Sequence, residues 1–272
     1  MGNGGFSIKK PTNTINEEKD KEELCPTNLD ISLISSISGG YISANSNIFD
    51  NIPNTPISRR VLNEALHGTP LVKIGSGGQK VMVIAGIHGN EIPPQIAAVH
   101  LIHKLINLHK RDKLNGSVYV IPFSVPKSSM INSRFFNGVD LNRKSNVEGS
   151  VTNKILAKIE DLKIKSIGDF HSTAPGSMPG REGIFCTMKP SPESFHIGKY
   201  ISDSIKSELL FYNEAGNAYK GAIEDESNIR RVPAVTCEVL SSNGIADKTT
   251  YRRSLEQMES YLTYFGIISD DL

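Results

Sequence analysis

His88 and Glu91 stand three residues apart in AGIHGNE (residues 85–91), directly after the apolar run KVMVI and before IPPQIAAVHLIHKL. An imidazole and a carboxylate at that spacing can hold a divalent cation, although an isolated H-x-x-E is more often a solvated pair on a helix. Two further stretches supply matching groups: Asp169 and His171 close IKSIGDFH, and Glu238 lies near the end of VPAVTCEVL. Two imidazoles and one carboxylate on Zn²⁺, with a fourth position left for water, form a recurring catalytic arrangement. Such a centre needs a second, unligated carboxylate as general base. His88, Glu91 and His171 fit the first role, and Glu238 fits the second.

The stretch RFFNGVDLNRK (residues 134–144) carries what an amide hydrolase requires beyond the metal. Arginine offers a planar fork for a carboxylate, so Arg143 with Asn142 can hold a carboxylate of the substrate. Arg134 can stabilise a developing oxyanion. Asp140 can accept the other ring N–H of a ligand histidine, His88 first among them, and so fix its tautomer. Taken alone, DLNR is as often a surface turn.

These groups are useful only if the backbone brings them to one rim. PLVKIGSGGQKVMVIAGI reads as two strands around a Gly-rich turn, the second apolar enough to be covered on both faces. A helix follows with Ile92, Ile96, Val99 and Ile106 on one stripe, Pro93 and Pro94 falling in its first turn. GSVYVIPF, IKSIGDFH and VPAVTCEVL read as strands; VTNKILAKIEDL, SPESFHIGKYISDSIKSELL and KTTYRRSLEQMESYLTYFG read as amphipathic helices, the last capped by Gly266. The alternation predicts an α/β fold, a mostly parallel mixed sheet with helices on both faces. Ligands of such sheets bind beyond the carboxyl ends of the strands, where His88, Glu91, His171 and Glu238 fall. Residues 30–58 read as an irregular lead-in or an edge hairpin, and residues 1–28 as a flexible polar extension of a single catalytic domain over 29–272.

With 272 residues, 30 Lys plus Arg and 29 Asp plus Glu, the net charge is +1, so no global field favours nucleic acid or an anionic membrane. No stretch has the roughly 20 apolar residues of a spanning helix, and no apolar signal segment opens the chain. The three cysteines, Cys25, Cys186 and Cys237, leave one unmatched in any disulfide scheme, as suits a reducing cytoplasmic compartment. Strand alternation sends Cys237 to the face opposite Glu238. His100 and His103 fall on the polar side of their helix and are expected to be solvated. The GSGG segment is a turn without the helix start and Lys-Ser of a phosphate loop.

AGIHGNE, NGVDLNR, GDFHST and VPAVTCEV, in this order over roughly residues 70–240, resemble the succinylglutamate desuccinylase/aspartoacylase family, relatives of the zinc carboxypeptidases. The resemblance implies a carboxypeptidase-like fold and one Zn²⁺ per chain on His88, Glu91 and His171. It also implies Glu238 as base and proton shuttle, with Arg134, Asn142 and Arg143 facing the substrate. KSN follows Arg143 in place of the family's Phe-Pro-Gly, and Arg134 stands one residue further from Asp140 than in aspartoacylases. About thirty residues follow Glu238, too few for the family's C-terminal β-domain, so an open cleft is expected. NAYKGAIEDE (residues 217–226) is similar to a carboxypeptidase segment, which makes Tyr219 a candidate lid residue that touches substrate and Glu224 or Asp225 a candidate for the specificity pocket. Arg230 and Arg231 are expected to be solvated.

The expected activity is zinc-dependent hydrolysis of an amide in a small molecule or short peptide with a free carboxylate. An N-acyl-amino-acid deacylase is preferred over a carboxypeptidase, and a noncatalytic metal-binding domain is the rival from another class.

Overall fold

The computed structural model describes Met1 and residues 29–269. The extension read at 1–28 lies outside the described residues apart from Met1, as does Cys25. One eight-stranded sheet runs through the rest. Its strands are β1 (Asp30–Leu33), β2 (Pro70–Ser76), β3 (Lys80–Ala85), β4 (Gly116–Ile121), β5 (Ser166–Thr173), β6 (Gly183–Lys189), β7 (Glu208–Glu214) and β8 (Ala234–Leu240). They lie in the order β1-β2-β4-β3-β5-β8-β6-β7. The central four are mutually parallel, β4 with β3, β3 with β5 and β5 with β8, while β1, β2 and β6 enter antiparallel.

The helices are α1 (Ser46–Phe49), α2 (Pro56–His67), α3 (Ile92–Lys110), α4 (Pro126–Met130), α5 (Val151–Leu162), α6 (Glu193–Ile205), α7 (Ile223–Ile229) and α8 (Lys248–Tyr264). On one face α2, α3, α6 and α8 pack their apolar sides over Val81, Val83, Phe170, Ile184, Val235 and Cys237. On the other, α5 and Ile223 of α7 cover Met82, Ile84, Tyr119, Ile121 and Ile167. Burial on both faces explains why β3 and β4 carry apolar runs without alternation, whereas β5, equally buried, carries Asp169 and His171. The expected α/β sheet with helices on both faces is what forms, and the stripe Ile92, Ile96, Val99 and Ile106 is buried as read.

Three local expectations need correction. The lead-in is the edge strand β1, an irregular stretch with the short helix α1, and then a full helix absent from the sequence reading, α2, whose start is fixed by Pro56 and by Thr55 accepting a hydrogen bond from Ser58 N. The helix read over 191–210 ends at Ile205; Lys206 turns left-handed, and the chain returns as β7 along the sheet edge. A lysine in that C-cap conformation carries no glycine signal, so the break is invisible in the sequence. His100 and His103 are not simply solvated. Helix α2 and its lead-in cover that side, so His103 Nε2 lies 3.0 Å from Ser58 Oγ and His100 Nε2 2.9 Å from Asn51 O. Cys237 does pack away from Glu238, fully buried, and the 75–78 segment is the end of β2 and a turn.

Candidate metal centre and cleft

Strand β3 ends at Ala85, and Gly86, with φ +74°, turns the chain so that His88 to Glu91 lie across the carboxyl edge of the sheet. Gln95, fully buried in the first turns of α3, holds this loop by donating its amide N–H groups to the carbonyls of His88, Gly89 and Glu91 at 3.4, 3.2 and 2.8 Å. Gly89 N donates to Ser133 O at 2.9 Å, and a side chain at Gly89 would put its Cβ 2.0 Å from the Ser128 carbonyl carbon. The loop is therefore fastened from two sides.

His171 projects from β5 beside it. The Nδ1 atoms of His88 and His171 lie 2.8 and 2.6 Å from the two oxygens of Glu91. One ligand atom from each of the three residues falls within 4.8 Å of the others, and all three side chains are buried. Ligands about 2.0–2.2 Å from a common centre stand a little over 3 Å apart, so the group has the size of a zinc site. The outer nitrogens are engaged as well: His88 Nε2 lies 2.9 Å from Asp140 Oδ1, and His171 Nε2 lies 2.8 Å from Asp169 Oδ2. A ring whose Nε2–H donates to a carboxylate presents the Nδ1 lone pair inward, the arrangement a metal-ligating histidine needs. Each Nδ1 so presented faces a Glu91 oxygen, a pairing that either two protons or one dication would satisfy.

The electrostatics agree. Burial works against the Glu91 charge, but the facing His88 and His171 outweigh it and hold the carboxyl well below its ordinary range. Burial likewise opposes the charged form of His171, yet Asp169 and Glu91 keep its pKa well above the usual value. Asp140 is lowered too: burial is overcome by the His88 hydrogen bond and by the charges of His88, Arg134 and Arg143.

Glu238 sits directly opposite His171 in the parallel register of β5 and β8, so both side chains leave the sheet on the same side. Its Oε2 is buried without a hydrogen-bond partner, and burial, reinforced by the Glu91 charge, pushes its pKa up to about 8. A dication held at the neighbouring group would counter the Glu91 charge and favour the carboxylate. Arg134 donates to Glu91 Oε1 and Asp140 Oδ2, both at 3.1 Å. Asn142 accepts from Ile223 N at 3.0 Å and brings its amide nitrogen 3.4 Å from His171 Nε2. Arg143 lies over the Tyr219 ring, 5.1 Å from its centroid.

His88, Glu91, Arg134, Asn142, Arg143, His171, Tyr219, Glu224 and Glu238 all line one cleft of about 390 Å³. Asp140 stands behind His88. Of the two candidate specificity acids Glu224 lines the cleft, and Asp225 does not. Burial first, then the Asp225 charge, raises Glu224 well above the carboxylate range. Arg230 pairs with Glu160 at the surface, and Arg231 is exposed. Burial also pushes the Cys186 thiol up to about 12, which leaves it unreactive.

Two participants have no role in the sequence reading. Asp169, fully buried, carries the second carboxylate–histidine pair; its signal is the D-x-H spacing, which puts both side chains on one side of a strand. Gln95 gives no such signal, since one glutamine among apolar helix residues reads as ordinary.

Residues 77–179 match the profile described as the succinylglutamate desuccinylase/aspartoacylase catalytic domain. AGIHGNE, NGVDLNR and GDFHST fall inside that match, and VPAVTCEV with Glu238 lies beyond it. No curated protein matches the chain by sequence. Among solved structures, the fold is similar to a succinylglutamate desuccinylase from Silicibacter sp. TM1040, with TM-score 0.58 and 16% identity over 74% of this chain and 61% of that one. An aspartoacylase family protein from Mesorhizobium loti gives 0.54 and 19% over 74% and 62%. A metallo-carboxypeptidase from Burkholderia cenocepacia gives 0.59 and 12% over 88% and 65%. The chain thus spans less than two thirds of each of these three structures, and at such identities the likeness is one of fold. By profile over residues 77–179 and by fold over most of its length, the chain resembles the succinylglutamate desuccinylase/aspartoacylase and metallo-carboxypeptidase proteins.

Proposed function

We propose that the protein is a zinc-dependent amide hydrolase, acting as an N-acyl-amino-acid deacylase on substrates with a free carboxylate. The observation that carries this reading is the convergence of His88, Glu91 and His171 beside an unpartnered Glu238. His88 and His171 through Nδ1, with a Glu91 oxygen, would hold the metal. When bound, one Zn²⁺ polarises the amide carbonyl as a Lewis acid and makes a water acidic enough to attack near neutral pH.

The chain's own groups do the rest. Glu238 takes the proton from the attacking water and returns it to the leaving amine nitrogen. Arg134, beside Glu91, faces the oxygen that gains charge. Arg143 binds the substrate carboxylate, and Asn142, tied to the start of α7, fixes the segment that presents it. Glu224 meets the group on the far side of the scissile bond. Asp140 and Asp169 hold the two imidazoles in the tautomer that ligation requires.

Carboxypeptidase action on small peptides is the second reading. It is favoured by the metallo-carboxypeptidase likeness, which covers 88% of the chain against 74% for the desuccinylase. Zinc-loaded protein assayed on N-acyl amino acids and on short peptides separates the two, and turnover of peptides alone reverses the preference. In either case Glu238→Gln is expected to keep stoichiometric zinc and to lose about 10²–10⁴-fold in kcat. A variant still active at wild-type rates removes Glu238 from the reaction, and a wild type that hydrolyses neither class returns the protein to a noncatalytic metal-binding role.

A further inference from the structure

Arg134 is committed to Glu91 and Asp140, whereas Arg143 forms no ion pair among the described residues. An arginine side chain carries about 2 kcal/mol of rotamer entropy, so a guanidinium that must meet a carboxylate benefits from being held in advance. Two contacts hold this one. Its Nη1 donates to Asn142 O at 2.6 Å, and its Cζ lies 5.1 Å from the centroid of the Tyr219 ring.

That ring is itself backed by Phe185 and Tyr212, which stack on each other with centroids 5.8 Å apart. Phe185 of β6 meets it edge-on at 5.5 Å and Tyr212 of β7 at 5.5 Å, with the Tyr212 hydroxyl donating to the Tyr219 hydroxyl at 3.2 Å. The segment bearing Tyr219 is also fastened to the segment bearing Arg143. Ser145 N donates to Gly221 O at 2.9 Å, and Ile223 N donates to Asn142 Oδ1. Gly221, with φ +84°, lies so close that an added Cβ would stand 2.5 Å from Arg143 O.

We propose that Tyr219, backed edge-on by the stacked pair Phe185 and Tyr212, is a positioning residue that fixes the Arg143 guanidinium at the cleft wall, and does not swing over the substrate as a lid. The inference rests on the reading of Arg143 as the carboxylate anchor. Its test does not depend on turnover. The Arg143 Nε–Hε resonance, identified by its loss in Arg143→Lys, reports the ring above it. It is expected to be displaced by ring current in the wild type and in Tyr219→Phe, and to move to the position of a free arginine in Tyr219→Leu.

On a carboxylate-bearing N-acyl amino acid, Tyr219→Leu is expected to raise KM about 5-fold with kcat within about 2-fold, and Tyr219→Phe to return KM toward wild type. In the Arg143→Lys background the same Leu change adds little. Tyr219→Met, closer in volume, replaces Tyr219→Leu should the latter fail to fold. An unmoved resonance in the ring-free variant overturns the clamp, and so does a fall in kcat at unchanged KM. Absence of any turnover in the wild type counts against the deacylase reading alone, because the resonance still tests the clamp.

Discussion

Asp169 lies against the outer nitrogen of His171 as Asp140 does against that of His88, so each proposed ligand histidine is oriented by its own carboxylate. Outer partners of this kind contribute about 10–100-fold to metal affinity. Asp169→Asn is therefore expected to weaken zinc binding by about that factor, as read by competition with a chromogenic chelator, while the fold persists. Unchanged affinity would assign Asp169 to packing. At this scale the sequence was most informative. His88, Glu91 and His171, which the structure brings together, were legible from their types and their places at or beside a strand end, because strands deliver side chains to fixed sides. Asp169 was visible but without a role, since nothing in the chain says which nitrogen of His171 faces inward. The bonds that commit Asn142 and Arg143 to α7 and Tyr219 were not legible, because their partners lie some 80 residues away in a segment with no periodic pattern.

The elements around the site show a different balance. The β-α units carrying the ligands follow from apolar runs and capped helices, and they form where expected. The ends of elements do not, as Lys206 and β7 show. The least legible requirement is at Gly89, where the loop passes so close to α4 that a methyl group would overlap Ser128 backbone atoms at 2.0–2.3 Å. Backbone cannot step aside as a flexible side chain can. Gly89→Ala is expected to destabilise the protein by at least about 2 kcal/mol in chemical denaturation and to weaken zinc binding, because His88 and Glu91 flank it. A stability within about 0.5 kcal/mol of wild type would show that the loop has room to move.

For the molecule as a whole, the proposed ligands come from the β3 exit and from β5, and the proposed base from β8, three neighbours in the sheet although some 150 residues separate the first from the last. No helix among the described residues is long and apolar enough to cross a membrane. A cation bound only by the folded arrangement stabilises it by mass action, about 4 kcal/mol at a thousandfold excess over Kd. Removing it with a chelator is expected to lower Tm by on the order of 10 °C, reversibly on adding zinc. An unchanged Tm would separate the centre from the fold. The pairing of His171 with Glu238 carries one last consequence. Because side chains alternate along a strand, sliding β8 by a single residue would withdraw the Glu238 carboxylate and present the Cys237 thiol in its place. Insertions in the turn before β8 are thus tolerable only where the slack is absorbed outside the strand, and the spacing of acid and imidazole is inherited from the hydrogen-bond ladder itself.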